Sequence, residues 1–369
     1  MSFSGQDRLR ALQQIRWFDR KSLPRYQSLL ELQQHPWSGI SFIDDVFSNS
    51  YQDGFQVSGS GDLRARNSPP IIEIYGPPGS GKTMLGCSLC TRIILPKSLE
   101  IPGIESGDGG SNCSSIPLNG KEMSVIFMDL DGKFDINCIR DIIRRHLIKS
   151  IQAFFKTTSL NKKMIQSITA ATTECLHRFV LFRPQNTTEL IACLSMVPQH
   201  LEENKVTSCP FMVIDGIHSW TLVDKTYSQL LKNPTKNASP WYSAQLALMQ
   251  TLKMLVKAMH LSVLVAHGTQ TYPINPTKVE AHHSTVTDSS GSVYIDRLVP
   301  KWKECFTHSF VFSVDRGSHE NRDQSTDGRT LVRVRSWSRK QSNDARELGH
   351  LVIAGLETSF DPSNTQPTK

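Results

Sequence analysis

The chain has 369 residues, 38% of them hydrophobic, a formal net charge of +7 and a pI near 9.0, which allows a sizeable core and leans towards anionic partners. At roughly 150 residues per domain, this length suits one large α/β domain with appendages or two modest domains. No apolar run approaches the ~20 residues that span a bilayer, and the first twenty residues lack a segment suited to a secretory leader, so a soluble, intracellular protein with reduced thiols is expected. The basic lean fits nucleic acid and an ordinary solvated surface equally well.

Residues 1 to about 65 carry two short helical patterns, through Leu9, Leu12, Ile15 and Phe18 and through Leu23, Leu29, Leu30 and Leu32, followed by a polar, glycine-containing linker. Such helices bury too little to fold alone, so this arm is expected to dock on the core or on a neighbour. The core itself is expected over 66–357.

The apolar run Ile71 to Tyr75 enters Gly76-Pro77-Pro78-Gly79-Ser80-Gly81-Lys82-Thr83, a full-length GxxxxGK[ST] phosphate-binding loop, and an apolar-periodic stretch from Met84 to Leu95 follows. A polyphosphate needs several backbone N–H groups pointing inward, and the glycines let the chain curl that tightly. Lys82 is placed to reach the β- and γ-phosphates, Thr83 to put its hydroxyl on Mg²⁺, and the following helix to aim its positive end at the anion. ATP with Mg²⁺ is the expected ligand. Cys87 and Cys90 form a CxxC on that helix, but no second pair exists, so they read as packing residues.

Residues 103–120, rich in Gly and Ser, read as a disordered insertion. A strand is expected over Val125 to Asp129, and the chain continues Leu130-Asp131; Asp131 could face the γ-phosphate as the water-polarising base or serve as an ordinary turn residue. Helices follow near 135–155, 160–177 and 187–203, with a strand over Phe179 to Phe182 between the last two. The strand Phe211 to Asp215 ends an apolar run in a carboxylate, the Walker B form that holds Mg²⁺. It is followed by Gly216 rather than Glu, so any base must come from elsewhere.

A helix near 243–259 has a core stripe that includes Leu246, Met249 and Leu252, and it leads to a strand over Leu261 to Ala266. Beyond it Gln270 can sense the γ-phosphate through its amide, although loop polarity explains it equally, and His267 reads as structural. Strand patterns at 306–314, 331–338 and 350–354 suggest an antiparallel extension, with a flexible tail after Thr358. Alternating strands and helices predict an α/β fold, mainly a parallel sheet covered by helices on both faces.

Taken together, GPPGSGKTMLGCSLCTRIILPKS, IFMDLDGKFDI, VIDG, VLVAHGTQT and the Pro300-Lys301-Trp302 stretch resemble the eukaryotic RecA-like recombinase paralogues of the X-ray-repair cross-complementing type, from about 70 to 357. The resemblance implies a RecA-like P-loop core. It also implies an ATP-binding accessory subunit of a heteromeric paralogue complex, acting in homologous recombination and double-strand break repair in the nucleus. Its partners would be other recombinase-paralogue subunits and, through the complex, single-stranded DNA.

DNA-facing loops would lie at about 217–240, with Lys225, Lys232 and Lys236, and at about 272–297, where no Lys or Arg falls between Lys278 and Arg297. Backbone affinity depends on neutralised phosphates, so strong DNA binding by this subunit alone is not expected. Active recombinases carry Glu where Asp131 stands, one methylene longer, so weak, DNA-linked hydrolysis at most is implied here. Residues 1–65 contain no FxxA self-assembly motif and are short for the recombinase N-terminal domain, which suits a subunit that caps an assembly.

Two other readings use the same loop. An autonomous motor or AAA-type ATPase normally has Glu directly after the Walker B Asp. A small-molecule kinase wants an arginine-rich lid, and the only compact pair before Asp215, Arg144 and Arg145, lies on a helical pattern that suits a solvated face.

Overall fold

In a computed structural model the described residues are 32, 37–52, 69–102, 113–221, 223–224, 226, 240–272, 285–287, 293–296, 298, 300–314, 329–337, 346–354 and 357–362. The strands are β1 (Ile71–Gly76), β2 (Ser98–Pro102), β3 (Cys113–Pro117), β4 (Val125–Asp129), β5 (Phe179–Phe182), β6 (Phe211–Asp215), β7 (Ser262–Tyr272), β8 (Thr285–Thr287), β9 (Val293–Asp296), β10 (His308–Val314), β11 (Arg329–Trp337), β12 (Arg346–Ala354) and β13 (Glu357–Pro362). The helices are α1 (Ser41–Gln52), α2 (Lys82–Ile94), α3 (Ile136–Phe155), α4 (Lys162–His177), α5 (Thr187–Glu203) and α6 (Pro240–Met259), with a 3₁₀ turn at Pro300–Glu304.

The large sheet has the order β13-β12-β11-β10-β1-β7-β6-β4-β5, with β9 on β7 and β8 on β9. From β10 to β5 every neighbouring pair is parallel, and from β10 outward to β13 every pair is antiparallel. The fold is therefore α/β, with a mainly parallel sheet and an antiparallel extension. The parallel strands read as continuous apolar runs because helices cover both faces. Successive residues of one strand feed opposite cores: Phe127 and Val213 pack with α1 to α4, whereas Met128 and Ile214 pack with α5, α6 and Trp302. Asp135, Asn161 and Asn186 cap α3, α4 and α5 by accepting backbone N–H groups, which is why those helices begin where they do.

Three expectations are corrected. The polar linker contains α1: Trp37, Ile40, Phe42, Ile43, Val46 and Phe47 are buried in the main core, and the Phe42 ring lies 4.7 Å from that of Phe310. The apolar positions 42, 43, 46 and 47 make one helical stripe, and buried Asp44 accepts the backbone N–H groups of Trp37 and Ser38 at 3.0 and 2.9 Å. The two arm patterns lie outside the described residues apart from buried Leu32. The Gly/Ser-rich insertion is ordered from Cys113, where β3 pairs with β2 and buries Ser114, Ile116 and Leu118; residues 103–112 lie outside the described residues. Gly120 there permits close packing, since a Cβ would sit 2.0 Å from the Leu95 carbonyl oxygen. Finally, the expected tail is a strand through Pro362, paired along β12. No helix among the described residues is long and apolar enough to cross a membrane.

Candidate functional site

The carboxyl ends of β1, β6 and β4 converge on the loop that joins β1 to α2. Gly79 and Gly81 adopt left-handed backbone, φ 78° and 76°, a region that costs glycine nothing. Gly76 is required by a close approach: a Cβ there would lie 2.3 Å from the Phe312 carbonyl oxygen of β10. Ser80 is buried, its N–H donating to Pro77 O, while Pro78 and Gly79 stay exposed at the loop's tip. The sequence thus curls back on itself and hands the chain to α2, whose N-cap is Gly81 and whose first residues are Lys82 and Thr83.

Lys82 folds into the loop. Its Nζ donates to Gly76 O at 2.9 Å, Pro77 O at 2.7 Å and Ser80 Oγ at 3.0 Å, so the ammonium is held on neutral acceptors. Burial pushes it down to about 8, against the opposing pull of Asp215. Across the loop mouth, Thr83 Oγ1 donates to Asp215 Oδ2 at 2.6 Å. Burial pushes Asp215 up to about 6; the Thr83 hydrogen bond and the Lys82 charge lower it, while Asp131 and Asp129 raise it. Both groups are thus partly withdrawn from water without a full counter-charge. An anion beside Lys82 and a cation beside Asp215 would reverse these shifts.

Asp129 and Asp131, at the end of neighbouring β4, are engaged differently. Asp129 lies directly beside Asp215 in the strand register and is buried. Its Oδ2 accepts from Arg183 Nε at 3.1 Å and from Phe134 N at 3.2 Å, and Arg183 also donates to the Phe134 carbonyl. Asp131 accepts the Lys133 backbone N–H on Oδ1 at 3.2 Å and pairs its Oδ2 with Lys133 Nζ at 3.2 Å. Burial alone would raise its carboxyl, but the Lys133 hydrogen bonds and charge outweigh that and hold it below its ordinary value. Asp131 is therefore both beside the site and a turn residue, with each oxygen occupied. Gly216, at φ 81°, would place a Cβ 3.0 Å from Ser219 Oγ and 3.4 Å from Asp131 Cβ, so a Glu there would be crowded as well as strained.

Gln270 belongs to β7, its backbone in register with Ile295, and its side chain lies outside what is described. Lys225, Lys232, Lys236, Lys278 and Arg297 also lie outside the described residues. His267 is buried, as expected of a structural residue, its Nε2 2.9 Å from Glu73 Oε1 and its ring stacked on Tyr75. His218, three residues past Asp215, accepts the Gly268 N–H at 3.0 Å, tying the turn after β6 to β7. Sequence reasoning missed Asp129, Arg183 and His218. The one available signal was a charged residue ending or interrupting an apolar run, as in Ile72-Glu73-Ile74. Cys87 and Cys90 are buried, and burial together with the neighbouring thiols keeps them protonated, which suits packing residues.

No family model matches the chain. Among the described residues, no cluster of three or more His, Cys, Asp or Glu side chains could hold a metal ion unaided. What the site does bring together is one hydroxyl and one carboxylate, two hard oxygen donors on the same spot.

Proposed function

We propose that the chain is an ATP-binding, RecA-like accessory subunit of homologous recombination, in which Mg²⁺-nucleotide is held far better than it is hydrolysed. The observation that carries the nucleotide reading is the joint placement of Lys82 inside the glycine loop and of Thr83 and Asp215 on one another at its mouth. Lys82 would donate to the β- and γ-phosphates, the backbone N–H groups of the loop would cradle them, and Thr83 with Asp215 would hold Mg²⁺. Bound Mg²⁺ supplies charge neutralisation for the phosphates. The curled loop and the desolvated Lys82 and Asp215 fit that ligand.

Weak turnover follows from the opposite state of the second carboxylate. Asp131 is short, its oxygens are taken by Lys133 and its proton affinity is lowered, which makes it a poor acceptor for a water proton. Gly216, at a left-handed φ and with a Cβ crowded against Ser219, disfavours the Glu of an autonomous motor. The assignment to recombination and the nucleus, with paralogue subunits and single-stranded DNA as partners, rests on the resemblance of the motif set. A bound nucleotide would then act by stabilising the fold or an interface, worth about 2.7 kcal/mol at a hundredfold excess over Kd.

The deciding experiment titrates full-length protein with ATP in the presence and absence of Mg²⁺, then measures steady-state hydrolysis with and without single-stranded DNA. Mg²⁺-dependent binding with slow turnover is expected, together with paralogue subunits in an affinity purification. Absence of adenine-nucleotide binding, alone and in the purified complex, or rapid DNA-independent turnover, would refute the proposal.

A further inference from the structure

Two turns beyond the glycine loop, α2 presents a second polar site. Ser88 and Arg92 lie at i and i+4 on α2, and Arg145 and Lys149 lie at i and i+4 on α3, with His146 between them. Together with Thr358 of β13 these side chains surround a cavity of about 160 Å³, floored by buried Ile142. The Thr358 hydroxyl donates to Ser88 Oγ at 2.7 Å, which joins β13 to α2 and closes the third wall. Arg145 and Lys149 stand exposed at the rim, whereas Arg92 is half-buried beneath Gly39, where a Cβ would come within 2.9 Å of its guanidinium.

The lining holds three formal positive charges and no carboxylate. The nearest acid acting on Arg92 is Asp44, which steadies its charge against burial and has one oxygen committed to the N–H groups of Trp37 and Ser38. The cavity's one lining ring is the imidazole of His146, and the lining offers no run of cations along which a strand could track, as single-stranded nucleic acid requires. Two guanidinium groups, an ammonium and the hydroxyls of Ser88, Thr91 and Thr358 around a small volume match instead the terminal oxygens of one dianionic phosphate, with room for a few waters beside it.

We infer that this cavity between α2, α3 and β13 binds a phosphate monoester carried on a protein side chain, a phosphoserine or phosphothreonine of a partner. The exposed rim cations leave space for a peptide outside the cavity while its phosphate enters, the mode in which clustered cations read phosphorylated motifs. The site is separate from Lys82 and Thr83 and does not depend on the nucleotide reading.

The test uses full-length protein carrying Lys82→Ala, so that the glycine loop does not contribute phosphate binding. The probes are a short Gly/Ala-flanked phosphothreonine peptide, the same peptide unphosphorylated, inorganic phosphate and an oligothymidylate, followed by calorimetry. The phosphopeptide should bind at least tenfold more tightly than the other three. Arg145→Glu with Lys149→Glu, and separately Arg145→Gln with Lys149→Gln, should each lower that affinity at least tenfold; introduced into the parent chain, they should leave ATP affinity unchanged. The inference is overturned if the two peptides bind alike, if both double variants keep the affinity, if inorganic phosphate binds as tightly as the peptide, or if oligothymidylate displaces it at equal phosphate concentration.

Discussion

Two neighbouring strand ends carry carboxylates a few residues apart in space, and the protein treats them in opposite ways. At the end of β6, Asp215 is desolvated and meets only a threonine hydroxyl, and Lys82 opposite it rests on neutral carbonyls. At the end of β4, Asp129 is met by Arg183 and Asp131 by Lys133. The first pair is left electrostatically incomplete; in the second, each carboxylate meets a cation of the chain itself, although Asp129 Oδ1 accepts no hydrogen bond. Under the function proposed above, retaining a nucleotide and splitting it are separable demands on this sheet, the first served by the incomplete pair and the second left unserved by the paired one.

The largest expected effect breaks the incomplete side. Lys82→Ala removes the ammonium meant for the phosphates, and charged hydrogen bonds contribute ~1.5–3 kcal/mol each, so ATP affinity should fall by roughly 100-fold. The fold should survive, because Lys82 donates to loop carbonyls that can turn to water. Isothermal titration measures the affinity and circular dichroism the fold; an affinity within threefold of the parent would remove Lys82 from the site.

The completed side breaks through stability instead. Arg183→Ala strands the Asp129 carboxylate, which is 1% exposed, with only the Phe134 N–H left to it. Losing one partner of a buried pair costs several kcal/mol, and the half-exposed arginine reduces that to ~2 kcal/mol here. Urea unfolding of Arg183→Ala, and of Arg183→Ala with Asp129→Asn, should show the loss and then its partial recovery. Equal losses in both variants would mean that the arginine matters by packing alone.

How much of this contrast was readable beforehand follows from what each feature requires. The loop, Lys82, Thr83 and Asp215 were legible because their chemistry is local: glycine spacing fixes the curl, and an apolar strand ending in Asp announces itself. The order of the parallel strands was partly legible from the alternation of strand and helix. Pairings across 54 residues, such as Asp129 with Arg183, have no local signature, since register and crossover decide them. The errors have the same origin. The serines and glycines of 113–120 suggest disorder, yet alternate residues there turn inward once β2 offers an edge, and the stripe Phe42, Ile43, Val46, Phe47 is masked by its polar neighbours.

Asp215→Asn sharpens the electrostatic half. Burial lifts this carboxyl from its ordinary 3.8 to about 6, so the ionised form is disfavoured in the folded chain. The stability this contributes is fully present below pH 3.8 and is lost as pH rises through 6, because the unfolded chain gives up the proton first. Asparagine has no such dependence. Without ligand, the stability of Asp215→Asn relative to the parent should therefore rise by about 1 kcal/mol between pH 4 and pH 8, the shift being discounted for the solvent that reaches a half-buried group. The same variant should lose Mg²⁺-dependent nucleotide binding, a gain in stability at the expense of a binding group. A constant difference across that pH range would show that burial does not raise the Asp215 carboxyl above its ordinary value.

The smallest effect on the fold lies at Lys133, and it separates positioning from packing. The Lys133–Asp131 pair is solvent-exposed on the lysine side, so Lys133→Ala should change stability by less than ~0.5 kcal/mol. It removes the ammonium from Asp131 Oδ2 and leaves only the backbone N–H on Oδ1, which lets the carboxyl return towards its ordinary value and accept a water proton more readily. Single-turnover hydrolysis with saturating Mg²⁺-ATP should then rise a few-fold, and more in Lys133→Ala with Asp131→Glu, where the longer side chain regains reach. If neither variant exceeds the parent rate, the slow chemistry does not originate in the tied carboxylate, and the contrast between the two strand ends explains binding alone.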